Sequence, residues 1–156
     1  MKSGTLVIEK IFNSPVERVW HALTDRDQLK EWYFDIEDFK PELGFEFQFV
    51  GGRDGVLYLH LCRITEVIPY KKISYSWSYM GFKGTSTVSF ELFPENGGTR
   101  LRLTHEGLES LPMFDPNFLN GYYVPDWEGI VGNSLAAFLE SLGLHPSPNM
   151  KATKGS

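Results

Sequence analysis

The chain has 156 residues, a net charge of −5 and a single cysteine, Cys62. The length fits one domain. The acidic balance argues against a nucleic-acid footprint and against a basic membrane-surface helix, and one cysteine excludes an internal disulfide, so a reducing, cytoplasmic setting is expected. Hydrophobic residues make up 42% and aromatic residues 15%. The aromatic content is high for an ordinary globule and leaves two readings open, a large aromatic core or an aromatic-lined cavity. The N-terminal MKSGTLVIEK lacks the apolar core of a signal peptide. No run approaches the roughly 20 apolar residues of a membrane span, so membrane insertion is not expected.

Thr5–Phe12 reads as a strand, with Leu6, Ile8 and Phe12 in one phase and Val7 and Ile11 in the other. A strand apolar in both phases is expected to be covered on both faces. Ser14-Pro15-Val16-Glu17 reads as a capping box with Pro at the first helical position. The helix it opens buries Val16, Val19, Trp20 and Leu23. Asp25-Arg26-Asp27-Gln28 repeats the capping pattern before a second short helix with Leu29 and Trp32. An irregular stretch, Phe34 to Pro41, follows.

Strand candidates then succeed one another. Phe45, Phe47 and Phe49 alternate with Glu46 and Gln48. Val56–Val67 is a long strand closed by Pro69; either Tyr58, His60 and Cys62 or Leu57, Leu59 and Leu61 form its inner phase. Tyr75, Trp77 and Tyr79 alternate with serines, and Val88, Phe90 and Leu92 mark the next strand. Asn96-Gly97 predicts a type I′ hairpin, after which Leu101 and Leu103 alternate with Arg100 and Arg102. Short turns between consecutive strands make an antiparallel meander.

Its apolar face needs a cover, and the last helix, Asp126 to about Leu142, is the element long enough. About 16 residues at ~1.5 Å each span ~24 Å. Its stripe is Trp127, Ile130, Val131, Leu135, Phe138, Leu139 and Leu142, with Asp126 as the cap. Gly129, Gly132 and Ala136 form a small-residue face opposite. Leu108–Pro125 carries Met113, Phe114, Phe118, Leu119, Tyr122 and Tyr123 and is expected to form a lid over the mouth between sheet and helix. Residues 1–144 are expected to form one domain, with 145–156 a disordered tail.

The series from Phe12-Asn13-Ser14-Pro15-Val16-Glu17-Arg18-Val19-Trp20 through Glu66-Val67-Ile68-Pro69, Thr104-His105-Glu106-Gly107-Leu108 and Trp127 resembles the START-like, or SRPBCC, superfamily. Within it the chain looks like the branch named for the activator of the ninety-kilodalton heat-shock protein ATPase. The resemblance implies an α+β helix-grip fold: a six- to seven-stranded curved antiparallel sheet around a long C-terminal helix, with two short helices between the first two strands. It also implies a deep cavity between sheet and helix, in which superfamily members bind lipids, sterols or polyketides. The namesake has an additional N-terminal domain that this sequence lacks, which weighs against chaperone activation.

Candidate ligand contacts are Phe47, His60, Tyr75, Trp77, Tyr79, Phe90 and His105 from the sheet, Phe114 and Tyr122 from the lid, and Trp127, Ile130, Ser134 and Phe138 from the last helix. Tyr75, Trp77 and Tyr79 share one phase and combine apolar rings with polar tips. His105 continues the phase of Leu101 and Leu103 and could orient a ligand or transfer a proton, although a core histidine bonded within the protein is the plainer reading. Cys62, mid-strand, reads as a small buried residue. The four histidines lack ligand spacing, so neither metal nor cofactor is expected, and no catalytic residue is assigned. The leading expectation is a binding protein for a small apolar molecule. The alternatives are a cyclase- or hydrolase-type enzyme using a cavity His or Tyr, and a co-chaperone-like partner of the heat-shock ATPase. A weak homodimer is a lesser expectation.

Overall fold

The structure, a computed structural model, describes residues 5–53, 55–111 and 125–143. Its elements are β1 (Thr5–Phe12), α1 (Val16–Thr24), α2 (Arg26–Trp32), β2 (Glu46–Arg53), β3 (Val56–Ile68), β4 (Lys72–Tyr79), β5 (Ser86–Glu95) and β6 (Gly98–Glu106). A 3-10 turn at Leu108–Ser110 follows β6. The C-terminal helix is built from α3 (Trp127–Gly129), a π stretch (Ile130–Leu135) and α4 (Ala136–Gly143). The six strands form one antiparallel sheet in the order β1-β6-β5-β4-β3-β2. Two short helices precede β2 and the last helix covers the inner face, so the architecture is the α+β helix grip, with six strands.

Local chemistry explains most of these elements. Asp25 caps α2 by accepting from the Gln28 N–H at 3.3 Å, and Asp126 caps the C-terminal helix through the Gly129 N–H at 3.1 Å. Asn96 and Gly97 both have positive φ, 53° and 81°, as a type I′ turn requires. The indole N–H of Trp32 donates to the Ala22 carbonyl at 2.8 Å and pins α1 against α2.

Three features differ from the sequence reading. Ser14 caps nothing: the first helical N–H groups, of Arg18 and Val19, bond to the Pro15 carbonyl, and Pro15 itself is the N-cap position. Ser14 is buried, its carbonyl accepting from the Thr99 hydroxyl at 2.7 Å, so this residue anchors the helix start to β6. The second phase of β1 is not covered, because Val7 and Ile11 are 55% and 66% exposed. They lie on the outer face, where Glu9 reaches Arg100 and Arg102 on β6 at 3.2 and 2.6 Å. The last helix is not uniformly α. Its deepest residues, Trp127, Val131, Leu135 and Leu139, recur every fourth position. At 3.6 residues per turn that spacing drifts by about 40° per step. A π stretch, with its wider i→i+5 turn, takes the drift back and keeps the stripe on the sheet.

The phase of β3, left open by the sequence, is settled by pairing. His60 lies opposite Phe49 on β2 and Tyr79 on β4, and Cys62 opposite Phe47 and Trp77. Tyr58, His60, Cys62 and Ile64 therefore face inward, while Leu57 is 70% exposed. A bulge between Ile64 and Glu66 then shifts the phase by one residue, so that Val67 meets Ile73. No described helix is long and apolar enough to cross a membrane. The expected tail, and most of the expected lid, lie outside the described residues.

Candidate functional site

The inner face of the sheet and the start of the C-terminal helix enclose a connected array of rings. Trp77, fully buried, is its centre. Its ring centroid lies 5.0 Å from His60, 5.4 Å from Phe49, 5.5 Å from His105 and 5.4 Å from Trp127, mostly edge to face. Those separations and angles are the favoured arrangements of aromatic quadrupoles. His60 stacks on Phe49 at 4.6 Å and meets the edge of Tyr79 at 4.7 Å.

The polar tips of these rings are bonded within the protein. The Trp77 indole N–H donates to the Tyr79 hydroxyl at 2.8 Å. The Tyr33 and Tyr75 hydroxyls meet at 2.6 Å. Trp127 donates its indole N–H to His105 Nδ1 at 3.1 Å. Because an indole nitrogen only donates, Nδ1 carries no proton, and the neutral imidazole bears its hydrogen on Nε2. Nε2 lies 2.8 Å from the Ser86 oxygen, and Ser86 in turn donates to the Trp77 carbonyl at 3.0 Å. The chain of donors therefore runs Trp127 to His105 to Ser86 to the β4 backbone. His60 Nδ1 donates to the Tyr58 carbonyl at 3.0 Å.

Burial opposes charge on both imidazoles. Desolvation pulls His60 down to about 4 and His105 down to about 3, with His60 adding a repulsive contribution to the latter. Burial likewise pushes the Cys62 thiol and the Tyr75 phenol up, so each holds its proton. With both nitrogens of His105 engaged and its charged form suppressed, this residue is arranged to position Trp127 and Ser86 rather than to relay protons at neutral pH. Among the described residues, no three His, Cys, Asp or Glu side chains converge as metal ligands would.

Of the candidate contacts, Phe47, His60, Tyr75, Trp77, Tyr79, Phe90, His105 and Trp127 are all buried on this face. Ile130 and Phe138 are half-buried and pack against the core. Ser134 is exposed, because the stripe of the helix places Val131 and Leu135 inward and turns position 134 to solvent. Phe114 and Tyr122 lie outside the described residues.

Sequence reasoning missed Tyr33 and Phe34. They leave the end of α2 and insert between sheet and helix, where Phe34 stacks on Phe49 at 4.3 Å and Tyr33 lies 6.2 Å from Trp127 in near-parallel orientation. The available signal was three consecutive aromatics, Trp32-Tyr33-Phe34, running into an irregular segment. Gly51 makes room for the second of them, since a methyl group there would sit 3.1 Å from the Phe34 ring and 3.2 Å from His60. Ser86 was also missed, though it shares the phase of Val88 and Phe90.

Grooves of about 710 and 680 Å³ lie elsewhere on the surface. The first runs between the N-terminus of α1 and the β3–β4 and β5–β6 turns; the second flanks the outer face of β2, β3 and β4.

A sequence profile described as Activator of Hsp90 ATPase homolog 1-like protein matches residues 13–140. A search of curated proteins gave no match. Among solved structures, protein MLL2253 from Mesorhizobium loti is 30% identical, covering 88% of this chain and 95% of that one with a TM-score of 0.64. DynU16, from the dynemicin biosynthetic locus, is 19% identical with a TM-score of 0.71, covering 90% of this chain and 48% of that one. The chain thus spans about half the length of DynU16, and the likeness is one of fold. CalU16 from Micromonospora echinospora is 25% identical, covering 94% of this chain and 78% of that one, with a TM-score of 0.58.

Proposed function

The chain belongs to the Activator of Hsp90 ATPase homolog 1-like family, and on that premise we propose that it binds a small hydrophobic or aromatic molecule, of lipid, sterol or polyketide type, between the sheet and the C-terminal helix. The observation that carries this reading is the inner aromatic face, where Tyr75, Trp77, Tyr79 and Trp127, beside Phe90, combine large apolar rings with polar tips bonded inside the protein. Such a face offers an apolar ligand contact with large rings, while the polar tips of those rings hold one another in place. DynU16 comes from a biosynthetic locus, and a carrier of an apolar intermediate would suit a similar setting. The bonding of His105 favours a binding role over acid–base catalysis through that residue.

The test is to extract the purified protein with apolar solvent and identify co-purifying molecules by mass spectrometry, then to screen lipids and aromatic compounds by thermal shift. A ligand present at about a hundred times its Kd stabilises the fold by about 2.7 kcal/mol, which is readily seen in Tm. Trp77→Phe, which keeps most of the core volume, is expected to reduce that shift. If no class of apolar compound raises Tm, the binding reading fails.

A further inference from the structure

We propose that β1 is a dimerisation edge: two copies of this chain pair antiparallel through it, about a two-fold axis at Glu9, and join their sheets. This edge lies apart from the inner aromatic face and does not depend on a ligand there.

β1 is an outer strand of the sheet, and its ladder to β6 runs unbroken from Thr5 opposite Glu106 to Phe12 opposite Thr99. In an antiparallel ladder every second residue turns both its N–H and its C=O away from the partner strand. Among the described residues, no other segment bonds to those outward groups of β1. Natural edges of this kind are blunted by a proline, a bulge or outward charges. β1 has neither proline nor bulge, and Val7 and Ile11 on its outer face are 55% and 66% exposed. The opposite edge, β2, sets the exposed Glu46 and Gln48 before Val50, and Gly51-Gly52 weakens its end.

An open edge takes up an extended strand through main-chain hydrogen bonds, and side chains decide which strand it is. β1 is its own complement. Centred on Glu9, the pairing sets Val7 of each copy against Ile11 of the other on the outer face, and Leu6 against Phe12 on the inner face. Directly opposed apolar side chains stabilise a strand pair, and like charges so placed oppose it. The two Glu9 carboxylates meet at the axis, but each already lies 2.6 Å from Arg102 and 3.2 Å from Arg100 of its own chain. Two guanidinium groups from each copy therefore flank the pair. Centring on Ile8 would set Val7 against Glu9, and centring on Lys10 would set the two lysines together and Ile11 against Glu9. Only the Glu9 register matches apolar with apolar on the outer face. The strand has 8 residues, about 27 Å at ~3.4 Å each. That is a narrow contact, and interfaces below about 1,200 Å² belong to weak, reversible associations.

Sedimentation velocity of the full chain between about 10 μM and 1 mM, the range of a weak association, tests this. The sedimentation coefficient is expected to rise reversibly with concentration. Val7→Lys and Ile11→Lys change side chains outside the core, and each is expected to hold the chain monomeric across that range while leaving Tm in dilute solution nearly unchanged. Cysteine variants read the register. Glu9→Cys places the two thiols directly opposite, within the ~4.4–6.8 Å Cα span of a disulfide, so mild oxidation is expected to give a covalent dimer. Position 7 stands about 14 Å along the strand from its own counterpart, so Val7→Cys is expected to cross-link only when mixed with Ile11→Cys. Cys62 is buried and does not compete. A chain that stays monomeric throughout, or a dimer that survives both lysine variants, overturns the proposal. Cross-linking of Val7→Cys to itself as readily as to Ile11→Cys overturns the axis at Glu9. Should Glu9→Cys fail to fold, the mixed sample decides the register alone.

Discussion

Trp127 donates its indole N–H to Nδ1 of His105 across 3.1 Å, and this bond fastens the first turn of the C-terminal helix to the last residues of β6. Both partners are buried, with Trp127 1% exposed and His105 fully covered. The other imidazole nitrogen is engaged by Ser86, which extends the connection to β5 and to the backbone of β4. His105 is thus bonded within the protein, the plainer of the readings its strand phase allowed, and joins helix to sheet.

Replacing that joint should be expensive. His105→Phe keeps an aromatic ring but leaves the Trp127 N–H and the Ser86 hydroxyl short of a partner. The indole N–H so stranded costs about 1–3 kcal/mol, and Ser86, which keeps its bond to the Trp77 carbonyl, loses one hydrogen bond worth about 1 kcal/mol, so a total loss of about 2–4 kcal/mol is expected. Urea unfolding measures it. A double-mutant cycle with Trp127→Phe should show clear non-additivity, since the two residues share one bond; additive losses would mean that the bond contributes nothing.

Acid should weaken the fold through its two buried imidazoles. His60 and His105 are held at about 4 and about 3 in the folded state, against 6.5 when unperturbed. Below about pH 6.5 the unfolded chain takes up protons that the fold refuses, so stability is complete above that value and falls as pH drops toward the folded values. Each imidazole contributes a slope of up to about 1.4 kcal/mol per pH unit. Denaturant titrations between about pH 7 and pH 5 should show the decline, and His105→Phe should make it shallower. A flat profile in the wild type would contradict the burial of both neutral rings.

The β3–β4 turn carries a conformation that suits glycine. Tyr70 has φ 65°, and the Lys71 N–H bonds to the Ile68 carbonyl at 2.9 Å, the arrangement of a type II turn after Pro69. Its ring rests 5.9 Å from Trp20. Tyr70→Ala loses the ring and keeps the unfavourable φ, whereas Tyr70→Gly loses the ring and relieves the backbone. The glycine variant is expected to be the more stable of the two by about 1 kcal/mol in thermal unfolding. The reverse order would show that the turn relaxes when the ring is gone.

Two glycines of the last helix should respond oppositely to alanine. At Gly129 a methyl group would come 2.5 Å from the Asp126 carboxylate that caps the helix, so Gly129→Ala is expected to cost about 1 kcal/mol through the lost cap. At Gly132 the obstacle is the flexible Lys10 stem, 3.0 Å away, so the better helix propensity should prevail and stabilise by up to about 1 kcal/mol. Melting temperatures of the two variants decide this, and a loss at both sites would show that Lys10 cannot move.

The elements of this protein were legible wherever one face of a segment is polar. Glu46 and Gln48 mark the outside of β2, the serines between Tyr75, Trp77 and Tyr79 mark the outside of β4, and Asn96-Gly97 dictates its turn by the φ values it tolerates. The caps at Asp25 and Asp126 were equally local, since each side chain reaches an N–H three residues on. Most of the candidate site followed from strand phase alone.

What depended on neighbours distant in the chain was not legible. In β3 both phases are apolar, so periodicity carries no sign, and only the pairing of His60 with Phe49 and Tyr79 turns it inward. Both phases of β1 are apolar too, yet nothing among the described residues covers Val7 and Ile11. The π stretch answers a fit between helix and sheet, and Tyr33 occupies its slot because Trp127, Phe90 and Tyr75 converge there from three separate elements. The sequence by itself determined the strands, the helices and the aromatic face, since these rest on short-range periodicity. Tertiary structure alone decided which rings meet and which residue fills the space between sheet and helix, because those outcomes depend on contacts between segments that no local pattern encodes.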